Sequence, residues 1–149
     1  MQKVIPDSCC SWNFQIEDET QVVAEIEFDW DPEWTDIRIH GELYQVSSNA
    51  PSGGSYQLMR DSRSIALAIK RGILRTFDVE AAGRRFNLSA LNLFGRTIGL
   101  RENSQLLGTL RPIGIWRCTA DVDFPDDIPL NVRVFMIWLA LMIWSQRVF

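Results

Sequence analysis

The chain carries thirteen arginines but only two lysines, Lys3 and Lys70, so the guanidinium group is its most abundant cation. Seven cations sit close together in sequence: Arg60, Arg63, Lys70, Arg71, Arg75, Arg84 and Arg85. A guanidinium holds phosphate or carboxylate oxygens with two parallel hydrogen bonds, so a shared arginine face would suit an anionic head group. A competing fate is internal pairing. Residues 1–59 have a net charge of −9, residues 60–117 of +7 and residues 118–149 of −2. That separation favours arginines neutralised by the acidic N-terminal strands or by solvent. The cluster is nonetheless the best binding candidate in the sequence.

Other reactive side chains offer less. Asp29, Asp31, Glu33 and Asp36 form one acidic group, and Asp121, Asp123, Asp126 and Asp127 another. Carboxylates can hold a hard cation, but neither group has the glycine turn and terminal glutamate of a calcium loop. Solvated turns or helix N-terminal charges are expected, and no metal site. His40 is the only histidine, and nothing adjacent supplies a nucleophile or an orienting group. No catalytic residue is therefore expected, nor a cofactor, since Ser52-Gly53-Gly54-Ser55 is a loop and not a nucleotide-binding glycine pattern. Cys9, Cys10 and Cys118 make an odd count with two neighbours adjacent, a poor disulfide framework without zinc spacing. Unmodified thiols are expected, although Cys9-Cys10 has the chemistry for lipidation. Trp12, Trp30, Trp34, Trp116, Trp138 and Trp144 read as core side chains, with Trp34 the most exposed.

These residues must be positioned by a fold of 149 residues, 46% apolar and 23% charged, values that fit a single folded domain. A net charge of −4 gives no general attraction for nucleic acid. Residues 1–11 lack the apolar stretch of a signal peptide, so a cytoplasmic location is expected. The segment that decides the architecture is Val134–Trp144, VFMIWLALMIW, with no polar side chain. It is short for a membrane span, which needs about 20 apolar residues. Asp126 and Asp127 suit a helix N-terminus, and Pro129 suits a first turn. A helix over about 129–147 is expected. It is apolar on every face, so it must be enclosed by protein or by lipid.

The rest of the chain reads as short strands. In residues 20–30, Val22, Ala24, Ile26, Phe28 and Trp30 alternate with Gln21, Val23, Glu25, Glu27 and Asp29. Residues 37–46 repeat the pattern, with Ile37, Ile39 and Leu43 opposed to Arg38, His40 and Glu42. Between these two strands, Asp31-Pro32-Glu33 reads as a turn. Further strands are expected at 56–60, 64–71, 74–80, 84–91, 96–101, 105–111 and 115–122. Ala82-Gly83 and Glu102-Asn103-Ser104 mark hairpins. Segment 64–71 has some helix propensity, but its neighbours place it with the strands. Many short strands indicate a barrel or sandwich. A barrel of more than about eight strands has room for a helix inside.

The stretch Asp121–Trp144, DVDFPDDIPLNVRVFMIW and onward, resembles the end of the phospholipid scramblases and LURP-one-related proteins of the tubby C-terminal-like superfamily. Residues 73–91, with Gly83-Arg84 and Phe86, resemble that family's middle hairpin, and Ile98-Gly99 to Gly108 its later one. The resemblance covers residues 56–149, and 1–55 only in strand rhythm. It implies a closed antiparallel β-barrel wrapped around a central hydrophobic C-terminal helix. It also implies lipid-related binding, although no phosphoinositide motif matches residue by residue. The expectation is a non-enzymatic binding module for anionic phospholipid head groups or a protein partner, with peripheral membrane contact. The alternatives are a membrane-associated protein anchored by its last helix, and an enzyme whose site has no recognised motif.

Overall fold

The computed structural model describes residues 2–6, 13–27, 34–48, 54–71, 76–91, 96–113 and 119–145. Their strands are Gln2–Pro6 (β1), Asn13–Asp18 (β2), Gln21–Glu27 (β3), Trp34–Ile39 (β4), Glu42–Ser48 (β5) and Ser55–Arg60 (β6). There follow Arg63–Arg71 (β7), Thr76–Ala81 (β8), Arg84–Ala90 (β9), Ile98–Glu102 (β10), Gln105–Ile113 (β11) and Thr119–Asp123 (β12). One helix, Leu130–Ser145 (α1), comes last. Each strand pairs antiparallel with the next, and β1 closes the ring on β12 with Gln2 opposite Val122 and Val4 opposite Ala120.

The two ends of the barrel differ. At one end lie five two-residue connections: Glu19-Thr20, His40-Gly41, Asp61-Ser62, Ala82-Gly83 and Asn103-Ser104. The last four have positive φ at both residues, the type I′ geometry whose twist matches paired strands. Gly41 and Gly83 take this geometry without steric cost. The longer connections lie at the other end. Because β12 runs toward the tight-turn end, α1 enters there and runs back toward the long connections.

Alternate strand residues point inward and bury Ile16, Ile26, Ile37, Leu58, Phe77, Leu88, Leu100 and Leu110. The helix fills the space they surround. Val134, Phe135, Met136 and Ile137 are consecutive, cover a full helical turn, and are all 0% exposed. A helix lying on one side of a sheet would leave one of these faces open. With 16 residues, α1 is about 24 Å long, enough to run through the barrel. Trp138 stacks on Phe135 at a ring separation of 6.2 Å and meets Tyr56 of β6 edge-on at 5.2 Å. At the far end, Trp144 Nε1 donates to the Arg96 carbonyl at 2.8 Å, and the Arg96 guanidinium covers the Trp144 ring. Arg133 stays at the entrance. Its Nε donates to the Ile128 carbonyl at 2.9 Å, and its Nη1 lies 3.5 Å from Asp126.

Three expectations change. Residues 37–46 are not one strand, because His40-Gly41 folds them into the β4–β5 hairpin. The turn switches the inward parity, so Tyr44 and Val46 are buried while Leu43 is 43% exposed. In β3 a bulge inserts Val23 between residues paired with Ile16 and Glu17. Val23 therefore turns inward at 7% exposure and Val22 outward at 41%, the reverse of simple alternation. Similar bulges insert Ile65 and Leu107, which pack partly against the core. Strands β1 and β2 were not anticipated; their inward residues are only Val4, Phe14 and Ile16, with the polar Gln2 buried at the start. Asp31-Pro32-Glu33 lies outside the described residues.

Truncating the plug leaves a void no neighbour can fill. Phe135→Ala is expected to lower unfolding stability by about 3–5 kcal/mol, whereas Val22→Ala on the outer wall changes it by less than about 0.5 kcal/mol. Urea denaturation of both variants measures the difference.

Candidate functional site

With its lumen filled, the barrel can offer a ligand only its outer wall and its ends. The six described cations of the sequence-selected seven do not form one face. Arg60 lies at the tight-turn end of β6, in step with the inward-facing Tyr56 and Leu58, where Nη1 reaches Glu42 at 2.8 Å and the Tyr44 hydroxyl at 3.4 Å. Its guanidinium also lies 5.5 Å from the Tyr44 ring centre. The Glu42 carboxylate, and secondarily the Tyr44 hydrogen bond, push its pKa up. Arg63 is exposed beside the Asp61-Ser62 turn, and Lys70 is near the opposite end of β7. Neither has an ion pair among the described residues. Arg75 lies outside the described residues, as do Cys9, Cys10, Cys118, Asp29, Asp31 and Glu33.

Arg84 is committed to the fold. Its Nε and Nη2 fork onto Glu102 at 2.8 and 2.9 Å, and Nη1 donates to Asp127 at 3.1 Å. The same guanidinium sits 4.8 Å from the Phe86 ring centre. It thus ties β9 and β10 to the turn that launches the helix. Glu102 chiefly, together with Asp127, holds Arg84 firmly protonated, and in return the Arg84 hydrogen bond depresses the Glu102 pKa. Asp126 and Asp127 are therefore arginine partners at the helix entrance. Among the described residues no three acidic, histidine or cysteine side chains converge as metal ligands. His40 sits in a turn and not in a strand, with its backbone N donating to the Val23 carbonyl at 3.1 Å.

Strand register does build one polar groove on the outer wall. It sets Asp78 opposite Asn87, Glu80 opposite Arg85, and Asn87 opposite Arg101. The resulting open groove of about 330 Å³ is lined by Arg71, Arg85, Arg101, Asp78, Glu80 and Asn87, with the Asn103-Ser104 turn at its end. Arg71 Nε donates to Asp78 Oδ2 at 2.6 Å and Asn87 Nδ2 to Asp78 Oδ1 at 3.1 Å. The Asn87 hydrogen bond, then Arg71, lowers the Asp78 pKa, so this carboxylate stays ionised. Arg85 Nε lies 3.2 Å from Glu80 Oε1. Arg101 has no ion pair among the described residues. The lining therefore has three guanidinium groups against two carboxylates.

Of the described residues in the sequence-selected cluster, only Arg71 and Arg85 enter this groove. Arg101 was missed because it is distant in the chain and joins through the β9–β10 pairing. Its signal was the alternation of 96–101, which places it on the outer wall. Among the described residues, pairing between the acidic first strands and the basic middle is limited to Arg60 with Glu42, at the β5–β6 seam. The other arginine pairs form within the middle or with the helix entrance. A second groove of about 330 Å³, lined by Leu43, Gln45, Ser47, Met59, Asp61 and Ser62, holds no cation.

Comparison with protein-family models, with curated proteins and with solved structures finds no match to this chain. No helix among the described residues is long and apolar enough to cross a membrane.

The Arg84–Glu102 fork gives a signed pH prediction. Because the folded state depresses the Glu102 pKa below its ordinary 4.5, the fork stabilises the protein above that value. The contribution is lost as pH falls through the lower, folded value. Wild type is therefore expected to melt above Glu102→Gln at neutral pH, with the two curves converging on acidification. Thermal melts from pH 7 to pH 3 follow that convergence.

Proposed function

We propose that this protein is a non-enzymatic binding module of the tubby-like type, and that the outer-wall groove holds an anionic group such as a lipid phosphate. The observation that carries this reading is Arg101, a half-buried guanidinium without a carboxylate partner among the described residues, set beside Arg71 and Arg85. The Arg71–Asp78 and Arg85–Glu80 pairs lie at the surface, where such pairs hold by at most about 1 kcal/mol. An incoming phosphate can displace them and accept two guanidinium forks. The plugged lumen supports an external site. The central helix supports the scramblase-like and LURP-one-related kinship, since an enclosed apolar helix is the feature on which the resemblance rests.

Co-sedimentation at low salt tests this with vesicles of phosphatidylserine in phosphatidylcholine, against phosphatidylcholine alone. Binding is expected only to the anionic vesicles. Arg71→Glu with Arg85→Glu is expected to weaken it at least about tenfold, as each basic residue near an anionic surface contributes about 1 kcal/mol. Inorganic phosphate as competitor separates the two sources of the anion. Release by millimolar phosphate marks a site for the free ion, and resistance marks one that needs the lipid surface. Equal sedimentation with neutral and anionic vesicles, or none at low salt, overturns the reading.

A further inference from the structure

The ring is least secure where it closes. Among the described residues, β1 meets β12 only through Gln2, Lys3 and Val4, the shortest pairing in the barrel. Two buried polar atoms flank this seam without a hydrogen-bond partner among the described residues: Gln2 Nε2 on the inner side and Asp121 Oδ1 on β12. A buried polar atom left unpaired loses the hydrogen bond that water gives it in the unfolded chain. Against that cost, β1 sends one fully buried apolar side chain, Val4, into the core.

Release of β1 leaves the helix among the eleven other strands and uncovers the facing edges of β2 and β12. Unpaired strand edges are templates for an extended segment. Main-chain hydrogen bonds supply the affinity, and alternate side-chain positions supply the selectivity. Register sets what each position accepts. Lys3 stands between Glu17 of β2 and Asp121 of β12, with Arg111 beyond Asp121, so this outward position takes a cation. Val4 faces inward between Ile16 and Ala120, both 0% exposed, so the next position takes an apolar side chain. Gln2 also faces inward, between the half-buried Asp18 at the rim and the buried Val122. There β1 is a poor occupant of its own place, because the Gln2 amide Nε2 is enclosed without a partner.

We propose that β1 is a replaceable strand, and that the slot between β2 and β12 admits an extended partner segment of the pattern apolar–cation–apolar, running in the direction of β1. A tethered strand defends its slot at an effective concentration on the order of millimolar, so a displacing segment must fit better than β1 does. The position of Gln2 is where it can, by bringing an apolar side chain in place of an unpartnered amide. The inference stands independently of the anion reading above, whose groove is lined by β7–β10.

The probe is a fluorescein-labelled peptide, Leu-Lys-Val-Ile-Pro, titrated into the full chain and followed by fluorescence anisotropy. Saturable binding is expected, weakened at least about tenfold when glutamate replaces the lysine, since like charges then meet on both sides. Gln2→Leu in the chain makes β1 the better occupant and is expected to weaken uptake. Val4→Cys with Ala120→Cys staples β1 to β12 across a register pair. The oxidised stapled chain is expected to take up no peptide and to regain uptake on reduction, while wild type is indifferent to the reductant. The glutamate peptide needs no variant, so it decides the matter even if the stapled chain misfolds. In hydrogen exchange of the wild type, amides of residues 2–6 are expected to exchange faster than those of β7 and β8. Absence of uptake, uptake that survives the oxidised staple, or a glutamate peptide that binds as well as the lysine one overturns the proposal. So do β1 amides as protected as those of β7, or a chain that dimerises by trading its own β1 in place of taking the peptide.

Discussion

A closed ring of twelve strands encloses more space than its own inward side chains can fill. That space cannot remain empty, because unfilled apolar volume forfeits the dispersion contacts of every residue lining it. It cannot easily hold water either, since its lining is aliphatic and aromatic. The protein resolves this with a helix apolar on all sides, so each inward strand residue meets a partner. The dependence is mutual. Without the sheet, Val134–Trp144 would expose a continuous apolar surface; without the helix, the sheet would have a hollow core.

This constraint explains the polar features around the helix entrance. The chain must turn from β12 into the lumen at the end already crowded by tight hairpins. Phe124 and Ile128 are buried on the way in. Arg133 and Arg84 bind Asp126 and Asp127 and so pin the turn from two sides. Gly108 shows how close the approach is, because a Cβ there would collide with the Asp123 carbonyl oxygen. The arginine-rich middle therefore serves the fold first, and what remains for binding is the subset that faces outward without a full partner.

The enclosed helix was legible because an absence of polar residues on every face has few physical solutions. The hairpins at Ala82-Gly83 and Asn103-Ser104 were legible from turn chemistry. His40-Gly41 was not, because Ile37, Ile39 and Leu43 keep one parity straight through the turn and disguise two strands as one. The bulge at Val23 was equally hidden, since three apolar residues, Val22, Val23 and Ala24, accept either phase. As for the groove, composition identified arginine as the relevant group and strand register decided which arginines meet. Closeness in the chain grouped Arg60 and Arg84 with Arg71 and Arg85, while the sheet sends the first two to carboxylates and brings in Arg101.

Amide hydrogen exchange across Val134–Ile143 tests the central claim most directly. If the helix is the plug of a closed barrel, its amides can reach solvent only when the barrel opens. They should then be among the slowest in the protein, with protection equal to the global unfolding free energy. Rapid exchange along this segment while the strand amides stay protected would place the helix outside the sheet and contradict the account.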